Sequence, residues 1–483
     1  MKPEAVFKHF EAISQIPRGS GNEKAVSDYV KNFANNLNLK TVQDELFNLI
    51  IFKNGTTGYE NKEPIILQAH LDMVCEKNAG TEHDFLKDPI QLIVEGDLIK
   101  ANGTTLGADN GIGVAFCMAL LEADDLQHPP LEIILTSQEE TGMDGAFGLD
   151  YDLIKGRRMI NLDSGDDKVF TLGCAAGASA IFYIDADSQK DKRTDVVSYT
   201  INISGLKGGH SGSDIHLERG NSIRIMGYLL HEIMQDFNIG ISHISGGMKM
   251  NAIPREATAT ITFDKSDESK IIKVIEDYKN IEKNLYKIAD PDLEITYTPC
   301  KNPINIFSIH ATDALINNLI LLPSGVQSMS LELSGLVNAS NNIGVIETLK
   351  DEDEGEIVKI TSMLRGSCEY RINEMIVQIG CIATLTDSGL EVIERSPAWV
   401  YNPNSALLET AKKCYNDLFG EEPKLQATHG GLECGIFGNK LPDIEIIAYG
   451  ATCNELHTPN EYLSISSTEK VWNFLKLLLK ELD

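Results

Sequence analysis

A series of short apolar runs, several of which lead into a histidine or a carboxylate, constrains this chain more than any other feature. Residues 49–52, 64–69, 131–135, 159–162 and 444–449 are rich in Ile and Leu and are bounded by turn-forming residues. Runs this short and this apolar suit strands buried on both faces. Helical patterns over residues 2–14, 22–37 and 113–123 alternate with them. That alternation predicts an α/β domain. A chain of 483 residues exceeds one ordinary core, so two or more domains are expected.

The texture changes near residue 187. Residues 197–203 and 257–263 alternate polar with apolar side chains, the period of half-exposed antiparallel strands. Amphipathic helices are expected at 222–236, 269–287, 313–321 and 370–386, with strands through Met363 and at 390–395. The chain then returns to helix, buried strand and a final helix at 468–482. The predicted organisation is an α/β domain with a mixed sheet, built from 1–186 and 397–483, interrupted by an α+β domain at 187–396. Two rounds of helix and strand within the insert are compatible with an internal repeat, which the sequence leaves open. The acidic stretch 350–356 reads as a solvated turn.

Charge narrows the partners. Lys and Arg total 42 against 71 Asp and Glu, a net charge of -29, which repels phosphate backbones and anionic lipid alike. Nucleic acid and membrane surfaces are therefore excluded as expected partners. The nine cysteines are scattered without a CxxC pair, as in a reducing compartment. Residues 1–17 intersperse charges among apolar side chains and do not form a signal peptide. No apolar run reaches the roughly 18–20 residues that span a bilayer. A cytoplasmic protein is expected.

The ends of the apolar runs carry the chemistry, since ligands of open α/β sheets gather at the carboxyl ends of strands. Residues 64–69 enter His70-Leu71-Asp72. In an extended segment His70 and Asp72 face the same way, so Asp72 can accept a hydrogen bond from the second ring nitrogen of a metal-bound His70. Residues 131–138 end in Glu139-Glu140, and residues 159–162 end in Asp163. Adjacent carboxylates repel unless cations or a shared proton compensate. Asp109 lies in a glycine-rich turn entering a helix, and His457 follows the last apolar run. Alone, His70-x-Asp72 fits a plain strand exit equally well, and each of the other motifs fits a bland alternative, such as a solvated pair, better. Together they supply two histidines, three carboxylates and a spare carboxylate, enough hard and borderline donors for two divalent cations.

A competing pattern is present. Gly107-Ala-Asp-Asn-Gly111-Ile-Gly113 has the glycine spacing of short-chain dehydrogenases, and Tyr151 with Lys155 has their YxxxK spacing. A dinucleotide loop follows an apolar strand directly, whereas this one follows polar residues 100–105.

The order and spacing of His70-x-Asp72, Asp109, Glu139-Glu140, Asp163 and His457 resemble those of the di-zinc exopeptidases that include aminoacylase, carnosinase and peptidase V. The blocks at 67–74, 104–113, 142–148, 205–212, 251–257 and 429–435 are similar to the aminoacyl-histidine (Xaa-His) dipeptidase branch of that family, and the resemblance runs essentially end to end. It implies two divalent metal ions, zinc first with manganese or cobalt as alternatives. His70 and Asp163 would hold one, Glu140 and His457 the other, and Asp109 would bridge them. Asp72 would orient His70, and Glu139 would act as general base on a water shared by the metals. The insert would be a lid, with His210 at the oxyanion and Asn251, Arg365, Gly430 and Gly431 binding substrate. His429 and Glu433 fit either a pocket lining or a tight turn. The segment 451–456 lacks the Gly-Pro start common in the family, which leaves the loop before His457 open. The implied substrate is a dipeptide, Xaa-His and more broadly, and the implied assembly is a homodimer through the lid. The alternatives are an N-acyl amino acid amidohydrolase or a tripeptidase of the same family, and more remotely a non-catalytic metal binder or a dehydrogenase.

Overall fold

The computed structural model describes residues 1–331, 335–351 and 355–482. The chain divides into two compact units: Met1–Gly173 with Trp399–Ala427 and Leu432–Asp483, and Cys174–Ala398 with Thr428–Gly431.

The first unit is built on an eight-stranded mixed sheet. Its strand order is Lys40–Gln43, Leu49–Lys53, Leu131–Thr136, Ile65–His70, Arg158–Asn161, Glu445–Ala448, Val169–Cys174 and Lys424–Thr428. The four central strands, from Leu131–Thr136 to Glu445–Ala448, are mutually parallel. Every residue of Ile65–His70 and Leu131–Thr136 is buried, as their unbroken apolar character requires. Helices Glu4–Ser14, Lys24–Asn36, Ala108–Glu122, Ala406–Phe419 and Ile465–Glu481 belong to the same unit. Ala108–Glu122 is buried on nearly all sides, which explains why its sequence is apolar without a polar face. Phe170, Tyr415, Tyr449 and Phe474 form an aromatic cluster in this core, with ring centroids as close as 4.6 Å. A separate four-stranded sheet, ordered Cys453–Asn454, Tyr462–Ser464, Leu98–Ala101 and Leu92–Glu95, is too short in each strand to leave a periodic signal.

The second unit is a nine-stranded sheet with helices Ser222–Asp236, Glu268–Leu285, Ile309–Leu321 and Glu369–Leu385. It contains the repeat that the sequence leaves open. One half runs Val196–Ser204, helix Ser222–Asp236, Gly240–Gly246, Ala257–Asp264, helix Glu268–Leu285, Glu294–Cys300. The other runs Ala176–Asp185, helix Ile309–Leu321, Val337–Asp351, Gly355–Gly366, helix Glu369–Leu385, Gly389–Ser396. Both halves follow strand, helix, strand, strand, helix, strand, and both place their strands in the order fourth, first, third, second. They join second strand to second strand, antiparallel, with Ser245 opposite Glu347. The first half is inserted after the first strand of the second.

That insertion shifts the domain boundary from the expected residue 187 to Cys174. Ala176–Asp185 pairs with Gly355–Gly366 and Gly389–Ser396, so the strand belongs to the second sheet although its sequence continues the apolar texture of the first unit. Of the acidic stretch 350–356, Lys350 pairs with Glu356 and Asp351 with Gly355 across a strand pair; residues 352–354 lie outside the described residues. Among the described residues, no helix is long and apolar enough to cross a membrane.

Phe474 is fully buried in the aromatic cluster. Phe474→Ala should lower the unfolding free energy by about 3–5 kcal/mol, read as a fall in the urea midpoint. An unchanged midpoint would show that this cluster does not hold the unit together.

Candidate metal centre

Four parallel strands end on one edge of the sheet, and the candidate ligands lie at those ends. His70 closes its strand. Glu139 and Glu140 follow Leu131–Thr136, and Asp163 follows Arg158–Asn161. The loop after Glu445–Ala448 carries His457, and the pairing of Cys453–Asn454 with Tyr462–Ser464 closes it. Glu455 and His457 take left-handed φ values of 55° and 61° in this loop. That is the local shape left open by the missing Gly-Pro. Asp109 enters from the first turn of Ala108–Glu122, where its backbone departs from helical geometry (φ -81°, ψ 107°).

The side chains converge around one carboxylate. Asp109 Oδ1 lies 3.0 Å from His70 Nε2, and its Oδ2 lies 3.3 Å from His457 Nε2. Glu140 Oε2 is 3.0 Å from His457 Nε2. Asp163 Oδ1 is 3.7 Å and Glu139 Oε2 is 4.0 Å from His70 Nε2. Asp109 thus separates a half containing His70 and Asp163 from a half containing His457 and Glu140. Behind His70, the buried Asp72 places Oδ1 3.3 Å from Nδ1. Asp72 also accepts the backbone N–H groups of Glu139 and Glu140, each at 3.1 Å, and the Ser20 hydroxyl at 2.8 Å. One carboxylate therefore stands behind the imidazole and pins the glutamate pair.

Burial pushes Glu139 well above the usual carboxylate range, and the charges of Asp163, Glu140 and Glu433 push it further, against the opposing effect of His70. Burial likewise raises Glu140 and Asp163. Burial would raise Asp109 too, but hydrogen bonds with His457 and His70 hold it far below. Hydrogen bonds to Asp109 and Glu140 lift His457 to about 11. Without cations, imidazolium protons compensate the carboxylates. The donor atoms of His70, Asp109 and Glu140 all lie within 4.8 Å of one another, and Glu140 Oε1 is buried with no hydrogen-bond partner. A carboxylate and imidazole cage with an orphaned buried oxygen fits divalent cations.

Three further buried groups surround this cage: Glu433, for which the sequence leaves a pocket lining or a tight turn open, and Arg18 and Glu461, which no motif announces. Glu433 accepts from Gln68 Nε2 and Thr136 Oγ1, and burial lifts it to about 8. Arg18 and Glu461 bind the backbone beside Asp72 and Asp109. Long-range contacts of this kind leave no local pattern; the only sequence hint is that Glu461 lies four residues beyond His457. The dehydrogenase pair is otherwise engaged: the Tyr151 hydroxyl donates to Ala146 O and the Lys155 ammonium to Asp152 O.

In the second unit, the remaining expected site residues cluster among themselves. Gly209–His210 pairs with Ala252–Ile253, next to the exposed Asn251. His210 Nδ1 accepts the N–H groups of Gly212 and Ser213 at 3.2 and 3.3 Å, which leaves the ring proton of the neutral imidazole on Nε2. Arg365 Nη2 lies 3.5 Å from that Nε2, and Arg365 Nε donates to Ser211 Oγ. Among the described residues no carboxylate lies within ion-pairing distance of the Arg365 guanidinium, although it is only 5% exposed. Gly430 accepts from Ala175 N and approaches Gly212, with Gly431 beside it. His429 Nε2 lies 2.7 Å from Ser340 Oγ, and burial drops it to about 3.

A carboxylate and imidazole cage at the carboxyl edge of a mixed sheet suits a metal-dependent hydrolase. Residues 66–481 match Peptidase family M20/M25/M40. The chain belongs to this family and is a metallopeptidase. It is 33% identical to the cytosol non-specific dipeptidase of Escherichia coli (strain K12) over 482 residues, covering 100% of this chain and 98% of that one. The structure is similar to that of aminoacylhistidine dipeptidase from Vibrio alginolyticus, with a TM-score of 0.85 and 32% identity over 100% of this chain and 97% of that one. Aminopeptidase PepT from Bacillus cereus shares the fold, with a TM-score of 0.56 and 14% identity over 99% and 98% of the two chains.

With His457 lifted to about 11, its ring is protonated at neutral pH in the metal-free protein, and a cation must displace that proton. Zinc titration of the stripped protein near pH 7 should therefore release protons, read as buffer-dependent binding heat. Binding without proton release would place the metals elsewhere. His457→Ala should lower bound metal in elemental analysis; full occupancy would contradict its role as ligand.

Proposed function

We propose that this chain is a zinc-dependent dipeptidase acting on Xaa-His and other dipeptides. The observation that carries the reading is the Asp109 carboxylate set between two histidines with Glu139 buried beside them. The names of the relatives in E. coli and Vibrio support dipeptides as the substrate class.

His70 and Asp163 would hold one cation, Glu140 and His457 the second, with Asp109 between them. Bound there, divalent cations supply Lewis acidity toward the scissile carbonyl and acidify water near neutral pH. Zinc suits imidazole and carboxylate donors; manganese and cobalt accept the same set. Glu139 takes the proton of the attacking water and delivers it to the leaving amine. Asp72 keeps the His70 ring oriented and the Glu139 backbone fixed.

The second unit supplies recognition. His210 presents a donor Nε2–H suited to an oxyanion. Arg365, buried without a carboxylate, is suited to the substrate's free carboxylate, with Asn251, Gly430 and Gly431 completing that role. A buried guanidinium with no carboxylate partner among the described residues favours an exopeptidase over an enzyme cutting within long chains. The insert then acts as a lid, and its sheet, open along Glu294–Cys300 and Gly389–Ser396, offers edges for pairing into a homodimer. The cytosolic relative and nine free thiols favour a cytoplasmic setting.

Glu139→Gln should retain bound metal and lose ~10²–10⁴-fold in kcat; near wild-type turnover would remove Glu139 as base. Across a panel of Xaa-His, other dipeptides, tripeptides and N-acetyl amino acids, the free dipeptides should be cut fastest. A preference for the acetylated compounds would make the chain an amidohydrolase. Arg365→Ala should raise KM for free dipeptides far more than for their C-terminal amides; equal effects would remove Arg365 from carboxylate binding.

A further inference from the structure

Arg18 and Glu461 are both 2% exposed, and neither belongs to the ligand cage. Glu461 Oε2 accepts the backbone N–H groups of Leu106 and Gly107 at 2.7 and 2.9 Å, and Oε1 accepts those of Ala108 and Asp109 at 2.8 and 3.2 Å. On the carbonyl side of the same turn, Arg18 Nη2 donates to Gly107 O. Arg18 Nη1 donates to the carbonyls of Leu71 and Asp72, both at 2.9 Å. The turn carrying Asp109 is thus gripped on its N–H side by an anion and on its C=O side by a cation.

The glycines of this loop are shaped by that grip. A Cβ on Gly107 would lie 2.6 Å from Arg18 Nη2, and one on Gly111 would lie 2.5 Å from it. Gly107 also has φ +69°, a region that favours glycine. The spacing that suggests a dinucleotide cradle is instead a socket for a guanidinium.

We propose that Arg18 and Glu461 are positioning residues that fix Asp109 for both cations at once, so that loss of either weakens both halves of the cage together. The proposal rests on Asp109 being the shared ligand. Hydrogen bonds to ionised groups are roughly twice as strong as neutral ones, and four of them converge on one carboxylate here. The clamp also ties three ligand-bearing segments together. Glu461 shares its loop with His457, and the carbonyls held by Arg18 flank the Asp72 that orients His70. A purely architectural role would reduce the amount of folded protein and leave the metal affinity of the folded fraction unchanged.

The test uses the full chain, stripped of metal and titrated with zinc against a chromogenic chelator. Variants are Glu461→Gln, Arg18→Lys and Arg18→Ala, with His457→Ala as a control that damages one half. Circular dichroism and gel filtration define the folded fraction. The clamp predicts that both binding events weaken by ~10–100-fold in the folded fraction of each clamp variant, whereas His457→Ala chiefly weakens one. Methylguanidinium should restore affinity to Arg18→Ala. The proposal is overturned if the variants bind both ions as wild type does, or lose folded protein while the folded remainder keeps wild-type affinity. A wild-type chain that takes up no pair of ions would instead overturn the Asp109 reading, and the clamp with it.

Discussion

Asp109, Glu139, Glu140 and Asp163 crowd around two imidazoles in a largely buried pocket, and this repulsion is the constraint around which the first unit is organised. Buried carboxylates without compensating charge take up protons, as the raised Glu139, Glu140 and Asp163 show. Divalent cations held by these side chains would relieve the same repulsion. The surrounding polar groups are arranged to hold this costly arrangement in place. Asp72 lies 3.3 Å from His70 Nδ1 and accepts from two backbone amides, Asn110 donates to Asp163, and Glu461 with Arg18 holds the turn of Asp109.

Topology explains how these groups meet. Parallel pairing sends the carboxyl ends of Ile65–His70, Leu131–Thr136, Arg158–Asn161 and Glu445–Ala448 to one edge. An antiparallel arrangement of the same strands would put alternate ends on opposite edges and disperse the ligands. The second unit uses its all-antiparallel sheet differently. A duplicated unit joined through matching strands gives one continuous sheet with a single apolar core. It carries His210 on the first half and Arg365 on the second.

Much of this is legible in the sequence where burial and period decide the structure. The apolar runs at 64–69 and 131–135 become strands within one residue of their expected ends, and the helix at 222–236 matches its expectation. The residues expected as ligands do converge: His70, Glu139, Glu140 and Asp163 lie at or just past strand ends, His457 lies in the loop after Glu445–Ala448, and Asp109 enters from the first turn of a helix. The short strands Leu92–Glu95 and Leu98–Ala101 are not legible, since four residues carry no distinguishable period. Ala176–Asp185 falls in the first unit by texture but in the second by pairing, because the partners that decide its sheet lie some 170 to 220 residues away. Arg18 and Glu461 are invisible for the same reason. Their meaning lies in backbone groups more than 50 and 350 residues distant in sequence.

The most direct measurement is anomalous diffraction at the zinc edge from crystals of the full chain grown with zinc. The account predicts two peaks, one on either side of the Asp109 carboxylate, the first within bonding distance of His70 and the second of His457. A single peak, or peaks away from Asp109, would contradict it.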